Sequence, residues 1–282
     1  MENGIKRDIR LVGLDLDGTV FTDEKTITPA TREAIARAVR AGVAVLPVTG
    51  RPRSGLPEEV LAIPGVRYAI TSNGAMCEDL AEDKVLVRLA MDEETAMRAL
   101  RIAEKYDVVI DIYIDGQAYT AADSMRLVQT HVPESFRPYF LKTRRLVEDR
   151  GRFLRQTGRG AEKFTILFQD MAQRAAAWKE FEHTGLFELS GGIPENIEVN
   201  AKGVDKGRAL LALAERLGLS RGQTMACGDA SNDLAKLRAA GLGVAMGNAT
   251  PEAVAAADVQ TDTNNNDGVA KAIRRWVLCE EV

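Results

Sequence analysis

The chain has 282 residues, of which 45% are hydrophobic and 28% are charged, as in an ordinary folded globular protein. This length allows one large domain or two of usual size, and it excludes a small scaffold that depends on disulfides or metals for its stability. The 37 Lys and Arg residues and 41 Asp and Glu residues leave a net charge of -4, which excludes the broad basic surface of a nucleic-acid-binding protein.

The first part of the chain alternates apolar strands with helices. Residues 9–14 form a short apolar run, and a helix is predicted over residues 28–42, where it begins with a Thr-Pro start signal and ends at a glycine. A second apolar run covers residues 43–48, and a third strand is predicted at residues 68–71. Continuous apolar strands separated by helices indicate a parallel sheet that is buried on both faces.

The middle of the chain has a different pattern. Residues 108–114 and 117–120 are rich in residues that favour strands, and the turn pair Asp115-Gly116 separates them. This combination predicts a hairpin and therefore antiparallel pairing. The middle segment thus contrasts with the parallel α/β pattern before it.

The alternation of helices and strands returns towards the C-terminus. The elements predicted there are helices at 206–217, 232–240 and 268–278 and strands at 224–227 and 242–246. We therefore predict an α/β fold with a doubly wound, mostly parallel sheet as its core. Residues 1–89 and 199–282 would form this core, and residues 90–198 would form an inserted α+β domain.

Acidic residues follow two of the predicted core strands. Asp15 and Asp17 lie at the end of the first strand, and Asp229 and Asp233 follow the strand at 224–227. The carboxyl ends of parallel strands share one edge of a sheet, where open α/β folds bind ligands. A solvated turn or a helix N-cap would explain one such residue but not clusters at two strand ends. Asp15 and Asp17 have no His or Cys nearby, and hard oxygen ligands of this kind suit Mg²⁺.

Two further features of the sequence suggest an anion site. Thr49, Gly50 and Arg51 end the second core strand, where a hydroxyl and backbone N–H groups can hold the oxygens of an anion. Lys206 begins a helix, a position where its charge opposes the helix dipole. This lysine would neutralise charge near a nucleophile or a phosphate, or it is an exposed lysine without a role.

Taken in order, four segments resemble the four motifs of the haloacid dehalogenase superfamily. They are Asp15-Leu16-Asp17-Gly18-Thr19, Thr49-Gly50-Arg51, Lys206-Gly207, and Gly228-Asp229 through Asn232-Asp233. The segments at 243–249 and 267–270 are similar, more narrowly, to the Cof-type sugar-phosphatase branch, which carries a large cap between its second and third motifs. The inserted domain would then be the cap that selects the substrate.

This resemblance implies a Mg²⁺-dependent phosphatase that hydrolyses a small phosphorylated metabolite, such as a sugar phosphate, through an aspartyl-phosphate intermediate. It implies that Asp15 is the nucleophile and that Asp17 is the acid and base that protonates the leaving oxygen and then activates water. Mg²⁺ would be held by Asp15, the backbone carbonyl of Asp17 and Asp229, with Asp233 in support.

The resemblance also implies roles for the remaining motif residues. Thr49 and Asn232 would bind the phosphoryl group, and Gly50 and Arg51 belong to the same substrate-binding loop. Lys206 would orient the Asp15 carboxylate. Transfer of phosphate to a carboxylate splits one difficult hydrolysis into two steps, and positioning with charge neutralisation supplies most of the acceleration.

Two other functions use similar chemistry. A phosphomutase of the same superfamily also passes through a phosphorylated intermediate, and it would convert a bisphosphorylated sugar without releasing phosphate. A signalling receiver also phosphorylates an aspartate on a doubly wound sheet. The spacing of Asp15 and Asp17 and the large insertion favour turnover over storage of the phosphoryl group, so we expect an enzyme.

Basic residues cluster in the predicted cap. They are Arg137, Lys142, Arg144, Arg145, Arg150, Arg152, Arg155, Arg159 and Lys163. Because Glu148, Asp149 and Glu162 are interspersed among them, we interpret this stretch as a solvated helical face. The alternative is that one or two of them reach a second anionic group of the substrate.

The cysteines and the N-terminus bear on the location of the protein. Cys77, Cys227 and Cys279 are widely spaced without a C-x-x-C pair, which indicates free thiols. Residues 1–10 carry charges of both signs and lack the long apolar region of a signal peptide, and no apolar stretch approaches membrane-spanning length. We expect a cytoplasmic monomer or homodimer that binds a small phosphorylated substrate and neither nucleic acid nor membrane.

Overall fold

The computed structural model of the chain describes residues 8–280. Most of the N-terminal segment from which we inferred the absence of a signal peptide lies outside the described residues. Among residues 8–280, no helix combines the length and the apolar character that crossing a membrane requires.

Secondary structure falls into three consecutive parts of the chain. The first contains β1 (Leu11–Leu14), α1 (Pro29–Arg40), β2 (Ala44–Pro47), α2 (Glu58–Leu61), β3 (Tyr68–Thr71), β4 (Met76–Asp79) and β5 (Lys84–Arg88). The second contains α3 (Glu93–Ala103), β6 (Val108–Ile114), β7 (Gln117–Ala121), α4 (Val128–His131), α5 (Arg137–Thr143), β8 (Arg145–Val147), α6 (Arg150–Thr157), β9 (Lys163–Phe168), α7 (Met171–Thr184), β10 (Phe187–Ser190) and β11 (Asn196–Ala201). The third contains α8 (Lys206–Arg216), β12 (Thr224–Gly228), α9 (Leu234–Ala239), β13 (Leu242–Ala245), α10 (Pro251–Ala256), β14 (Val259–Gln260) and α11 (Gly268–Ala272).

A parallel sheet with the strand order β14-β13-β12-β1-β2 forms the centre of the core. The central strand β1 is paired on both sides, with Leu14 opposite Cys227 of β12 and opposite Pro47 of β2. Successive residues of β1 point to opposite faces. Val12 packs with α1 and α11, whereas Leu11 packs with α8. The predicted α/β fold with a doubly wound parallel core is therefore confirmed.

The strand predicted at residues 68–71 is present, but it pairs differently from the other apolar strands. Tyr68–Thr71 forms an antiparallel sheet with β4 and β5, and it is linked to the end of β2 by an isolated parallel bridge between Val48 and Ile70. Only four residues, Ser72–Gly74 and Ala75, separate Thr71 from the start of β4 at Met76, so the chain turns directly into an antiparallel partner. The parallel sheet consequently ends at β2.

A second sheet, with the order β10-β11-β9-β6-β7-β8, belongs to the middle of the chain. The predicted hairpin is confirmed, since β6 and β7 pair antiparallel with Ile114 opposite Gln117. The last strand of this sheet in chain order, β11, continues to Ala201. The boundary predicted between residues 198 and 199 therefore falls inside a strand, and the division into core and cap remains our proposal.

Alternation along three cap strands gives this sheet one apolar and one polar face. Ile110, Ile166 and Ile197 pack with helices α3 and α7 in one hydrophobic cluster. The opposite face carries the polar side chains of Asp111, Tyr113, Lys163, Thr165, Asn196, Glu198 and Asn200. This polar face is buried against the core, where the Asn200 amide donates to the carbonyl of Ser72 over 2.9 Å.

Candidate active site

A cavity of about 850 Å³ lies at the carboxyl ends of the core strands and beside the polar face of the cap sheet. Its lining includes seven of the residues singled out by the sequence: Asp15, Asp17, Thr49, Gly50, Arg51, Asp229 and Asn232. Asp233 and Lys206 are buried behind that lining. The structure thus brings all nine motif residues to one place.

Three carboxylates form the centre of the site. Asp15, Asp229 and Asp233 each offer a carboxylate oxygen, and these oxygens lie within 4.8 Å of one another. Asp15 follows β1 directly, and Asp229 follows β12, the neighbouring strand. Parallel pairing of these strands therefore explains how residues more than 200 positions apart meet.

Two buried lysines neutralise part of this charge. Lys206 donates to one oxygen of Asp15 and to one of Asp233, both over 2.8 Å. It begins α8, whose N-cap Asp205 accepts hydrogen bonds from the backbone of Gly207 and Arg208. Lys236 lies 3.0 Å from Asp233 and donates to the carbonyl of Cys227. Three carboxylates against two ammonium groups leave an excess negative charge.

The pKa values follow from this arrangement. Burial and then the carboxylates of Asp233 and Asp15 raise the pKa of Asp229 to about 8. Burial also raises the pKa of Asp233, but Lys206 and Lys236 outweigh that effect and lower it to about 2. The two lysines thus stabilise the carboxylate form of Asp233, whereas Asp229 forms no ion pair among residues 8–280.

Short residues let the two acidic loops approach each other. Gly18 has a positive φ of 72°, and a Cβ atom at this position would lie 2.3 Å from an oxygen of Asp229. Thr19 donates its hydroxyl to the other oxygen of Asp229 over 2.9 Å. Asp233 accepts a hydrogen bond from the backbone N–H of Asp229 over 3.0 Å. Glycine at position 18 is therefore required by both conformation and space.

The loop of Thr49, Gly50 and Arg51 is held from several sides. The Thr49 hydroxyl accepts a hydrogen bond from the backbone N–H of Arg51 over 3.2 Å. Lys163 of the cap strand β9 donates to the Gly50 carbonyl over 2.5 Å and also pairs with Glu198. A cap residue thus fixes the backbone of a core loop that faces the cavity.

The carboxylate of Asp17 is held by hydrogen bonds from two cationic side chains. Its two oxygens accept hydrogen bonds from Arg51 over 3.0 and 2.9 Å, and Lys25 donates to one of them over 3.0 Å. Desolvation raises the pKa of Asp17, but the two cations lower it by more, so that the net pKa lies below its ordinary value. Arg51 is therefore bound to an acidic side chain of the site rather than open to an anion.

Comparison with known proteins identifies the family. The sequence profile of the haloacid dehalogenase-like hydrolases matches residues 12–273, which is nearly the whole chain. The chain belongs to the haloacid dehalogenase-like hydrolases. The family resemblance of the four motifs is thereby confirmed.

Curated relatives and a solved structure match the hydrolase over nearly its whole length. It is 34% identical to the 5-amino-6-(5-phospho-D-ribitylamino)uracil phosphatase YcsE of Bacillus subtilis, over 96% of this chain and 97% of YcsE. It is 29% identical to the pyridoxal phosphate phosphatase YbhA of Escherichia coli, over 94% and 97% of the two chains. A haloacid dehalogenase-like hydrolase structure from B. subtilis superposes with a TM-score of 0.84 at 25% identity, covering 94% of this chain and 99% of that one.

Several residues of the hydrolase site were missed by the sequence analysis. Lys236, Lys163 and Glu198 are all buried at or next to the cavity. The sequence could have predicted the role of Lys236, because this residue follows Asp233 by three positions on a predicted helix, which is the spacing of a helical ion pair. Lys163 and Glu198 lie in strands where polar and apolar residues alternate. This pattern predicts that one face of the sheet is polar, but it does not predict what that face contacts.

The interpretation of the basic stretch as a solvated face is wrong for two of its members. Arg144 is buried and donates to the buried Asp111 over 2.7 Å, while Lys163 is paired with Glu198 as described. Lys163 belongs to the polar face of the cap sheet, and Arg144 packs against that face through Asp111; burial of each side chain requires a charged partner. By contrast, Arg145, Arg152 and Arg155 are exposed, as expected.

Proposed function

We propose that this hydrolase is a Mg²⁺-dependent phosphatase that acts on a small phosphorylated metabolite through an aspartyl-phosphate on Asp15. One observation carries the proposal: the buried Asp15 carboxylate lines the cavity, has one oxygen held by Lys206, and lies within the acidic cluster of Asp229 and Asp233. A carboxylate fixed in this way is an oriented nucleophile beside a site of excess negative charge. The phosphatase names of the relatives support this assignment.

The donor set fits a hard divalent cation. Asp15 and Asp229 offer carboxylate oxygens, and the family resemblance adds the backbone carbonyl of Asp17. The excess negative charge and the raised pKa of Asp229 indicate that a cation would stabilise the cluster. Asp233 would support this site indirectly, since its oxygens are occupied by Lys206, Lys236 and the backbone of Asp229. When bound, Mg²⁺ would neutralise charge on the phosphoryl oxygens.

In the first step, a carboxylate oxygen of Asp15 forms a bond to phosphorus, and the bond from phosphorus to the leaving oxygen breaks. Lys206 holds Oδ1 of Asp15, so the attacking atom is Oδ2. Asp17, released from Arg51 and protonated, donates its proton to the leaving oxygen. Thr49 and Asn232 hold the phosphoryl oxygens meanwhile, because both side chains line the cavity.

In the second step, water attacks the phosphorus of the aspartyl-phosphate. Asp17, now a carboxylate, accepts the proton of that water, the bond between phosphorus and Asp15 breaks, and inorganic phosphate leaves. The ion pair with Arg51 favours the carboxylate form of Asp17, which is the form that this step needs. Asp15 returns to its pair with Lys206.

Charges at the cavity favour a phosphatase over a phosphomutase. Apart from the motif residues, from Lys25, which pairs with Asp17, and from Glu198, which pairs with Lys163, the charged residues of the lining are Glu58, Glu59, Glu195 and Lys142. A bisphosphorylated sugar would bring its second phosphate towards these carboxylates, where like charges repel. A single phosphate held at the inner end avoids this repulsion.

A screen of phosphate release with Mg²⁺ tests the proposal. The panel would contain sugar phosphates, pyridoxal 5′-phosphate, 5-amino-6-(5-phospho-D-ribitylamino)uracil and p-nitrophenyl phosphate. We expect release from at least one physiological ester and loss of activity in chelator. Absence of release from every ester would contradict the phosphatase, and isomerisation of a bisphosphorylated sugar without release would establish the mutase.

Replacing Asp17 with Asn should separate the two steps. The variant still has Asp15, so an aryl phosphate, whose leaving group needs no proton, should phosphorylate it. Hydrolysis should then stall because no group accepts the proton of water, and mass spectrometry should find the phosphoryl group on Asp15. Asp83→Asn is the matched control, because Asp83 is highly exposed and outside the cavity lining. An Asp17→Asn protein that turns over normally would remove Asp17 from the mechanism.

Mg²⁺ should stabilise the folded hydrolase by binding the acidic cluster. At about 100 times its dissociation constant, a ligand adds about 2.7 kcal/mol, which raises Tm by roughly 5 °C or more for a chain of this size. The Asp229→Asn variant should lose most of this Mg²⁺-induced rise in Tm. Without metal its Tm should be at least that of the wild type, because the amide removes repulsion from Asp15 and Asp233. Thermal melts with and without Mg²⁺ measure both effects. An equal shift in wild type and Asp229→Asn would place the cation elsewhere.

A further inference from the structure

The cavity is much larger than a phosphoryl group needs, and it has an apolar end. Its volume of about 850 Å³ lies in the range of pockets that enclose a whole small-molecule ligand. A continuous row of side chains leads from the reacting end to this other end: Asp17, Arg51, Tyr139 and Phe136. The Arg51 guanidinium stacks 4.4 Å from the Tyr139 ring, and the Tyr139 and Phe136 rings lie 5.1 Å apart.

The apolar end is built from two segments of the cap. Phe136 precedes α5, and Ile193 lies in the loop between β10 and β11. Both are half-buried and pack on the same cluster, which contains Phe140 and Leu167, while their other sides line the cavity. Pro133, Pro138 and Pro194 extend the same wall. The wall is therefore an extension of the cap core that is left open to the cavity.

Tyr139 connects this wall to the catalytic end and packs between two guanidinium groups. Its ring lies 4.4 Å from the guanidinium of Arg51 and 4.9 Å from that of Arg144. Its hydroxyl is buried against Gly55, where a Cβ atom would approach within 2.2 Å. Among residues 8–280 that hydroxyl has no hydrogen-bond partner. Tyr139 is thus packed between Arg51 and Arg144, where the aromatic wall meets the catalytic end.

We propose that this apolar end, formed by Phe136, Ile193 and Pro194 beside Tyr139, binds a planar aromatic ring in the leaving group of the substrate. This inference rests on the proposed phosphatase function, because the phosphate end fixes where the leaving group begins. A planar ring fits this end because its flat apolar faces can pack on the aliphatic side chains and stack on the aromatic ones.

A sugar without a ring substituent fits this end less well. Its hydroxyl groups would lose water and face carbon atoms without hydrogen-bond partners. Polar groups suited to hydroxyls lie on the cap sheet, at Tyr113, Thr165 and Asn196, and at Ser135 and Glu195, next in sequence to Phe136 and Pro194. The favoured class is therefore a phosphate ester in which a hydroxylated segment separates the phosphate from an aromatic heterocycle.

Matched pairs of esters that differ only by the ring test this inference. One pair is uridine 5′-monophosphate and ribose 5-phosphate, and the other is riboflavin 5′-phosphate and ribitol 5-phosphate. In at least one pair we expect the ring-bearing ester to have a kcat/KM about tenfold higher, as stacking on an aromatic side chain provides. Release of phosphate is measured for all four esters and for p-nitrophenyl phosphate.

Variants then locate the ring. Phe136→Ala and, on the other segment, Ile193→Ala should each remove most of the ring preference while leaving kcat/KM for the ring-free ester within about twofold. Leu141→Ala is the matched control, because Leu141 lies on the adjoining helix α5 but is 52% exposed and not part of the lining. Thermal melts of each variant identify any loss of folding.

The outcomes separate the two proposals. Phosphate release from p-nitrophenyl phosphate with no ring preference in either pair would overturn the ring site and leave the phosphatase standing. A ring preference that survives in both Phe136→Ala and Ile193→Ala would also overturn it, because the ring would bind elsewhere. No release from any ester would instead contradict the phosphatase itself.

Discussion

Asp15→Asn is expected to abolish phosphate release, with kcat lowered by about 10⁴-fold or more, as for removal of other catalytic nucleophiles. An amide is a poor nucleophile, and the substitution also removes one carboxylate from the acidic cluster. Asn has nearly the same shape as Asp, so the buried strand end should remain packed. Phosphate release and trapping of the phosphoenzyme are the two measurements.

Two controls make this result specific. Asp83→Asn carries the same chemical change at an exposed position and should keep wild-type activity. In the Asp17→Asn background, adding Asp15→Asn should eliminate the phosphoryl group that accumulates on the single variant. If Asp15→Asn kept more than about 1% of wild-type kcat, the nucleophile would have to be another group.

Lys206→Met should have the second-largest effect. Without the ammonium group, Asp15 loses the hydrogen bond that orients it, and two buried carboxylates lose a shared positive partner. Removing one member of a buried ion pair costs about 3–5 kcal/mol of folding stability. We expect kcat to fall by about 10²-fold or more, since orientation and charge at the nucleophile are both lost.

Lys236→Met is the matched control for Lys206→Met. Lys236 is equally buried and pairs with the same Asp233, but its hydrogen bonds go to Asp233 and the Cys227 carbonyl and not to Asp15. Its substitution should lower Tm by a similar amount and lower kcat much less. Equal losses of kcat in the two folded variants would mean that Lys206 acts only on stability.

Local sequence patterns determined much of this structure. The helix that begins with Thr-Pro does start at Pro29, with Thr28 accepting a hydrogen bond from the backbone of Thr31. The apolar runs at residues 9–14 and 43–48 became parallel strands, and acidic residues at the ends of β1 and β12 became neighbours. These predictions succeeded because start signals, apolar periodicity and strand direction are properties of short segments, and parallel pairing then fixes which ends meet.

Other features were decided only by tertiary contacts. Asp17 is bound by Arg51, and Gly50 is fixed by Lys163, which lies 113 residues away on the cap. The alternation in β9 and β11 shows that one face is polar, but it does not show that this face is buried against the core rather than exposed to water. The pairing of β3 with β4 likewise depended on a turn rather than on apolar character.

The physical reason is that a charged side chain can be buried only where its partner is placed by another part of the fold. Periodicity and propensity describe each segment separately, so they specify the motifs at the strand ends and leave the cap residues unassigned. The sequence by itself therefore determined the core and its acidic cluster. Packing of the cap on that core placed Lys163 and Glu198 beside the loop of Thr49, Gly50 and Arg51 and formed the apolar end of the cavity. Contacts within the core, from Arg51 and Lys25, decided the position of the Asp17 carboxylate.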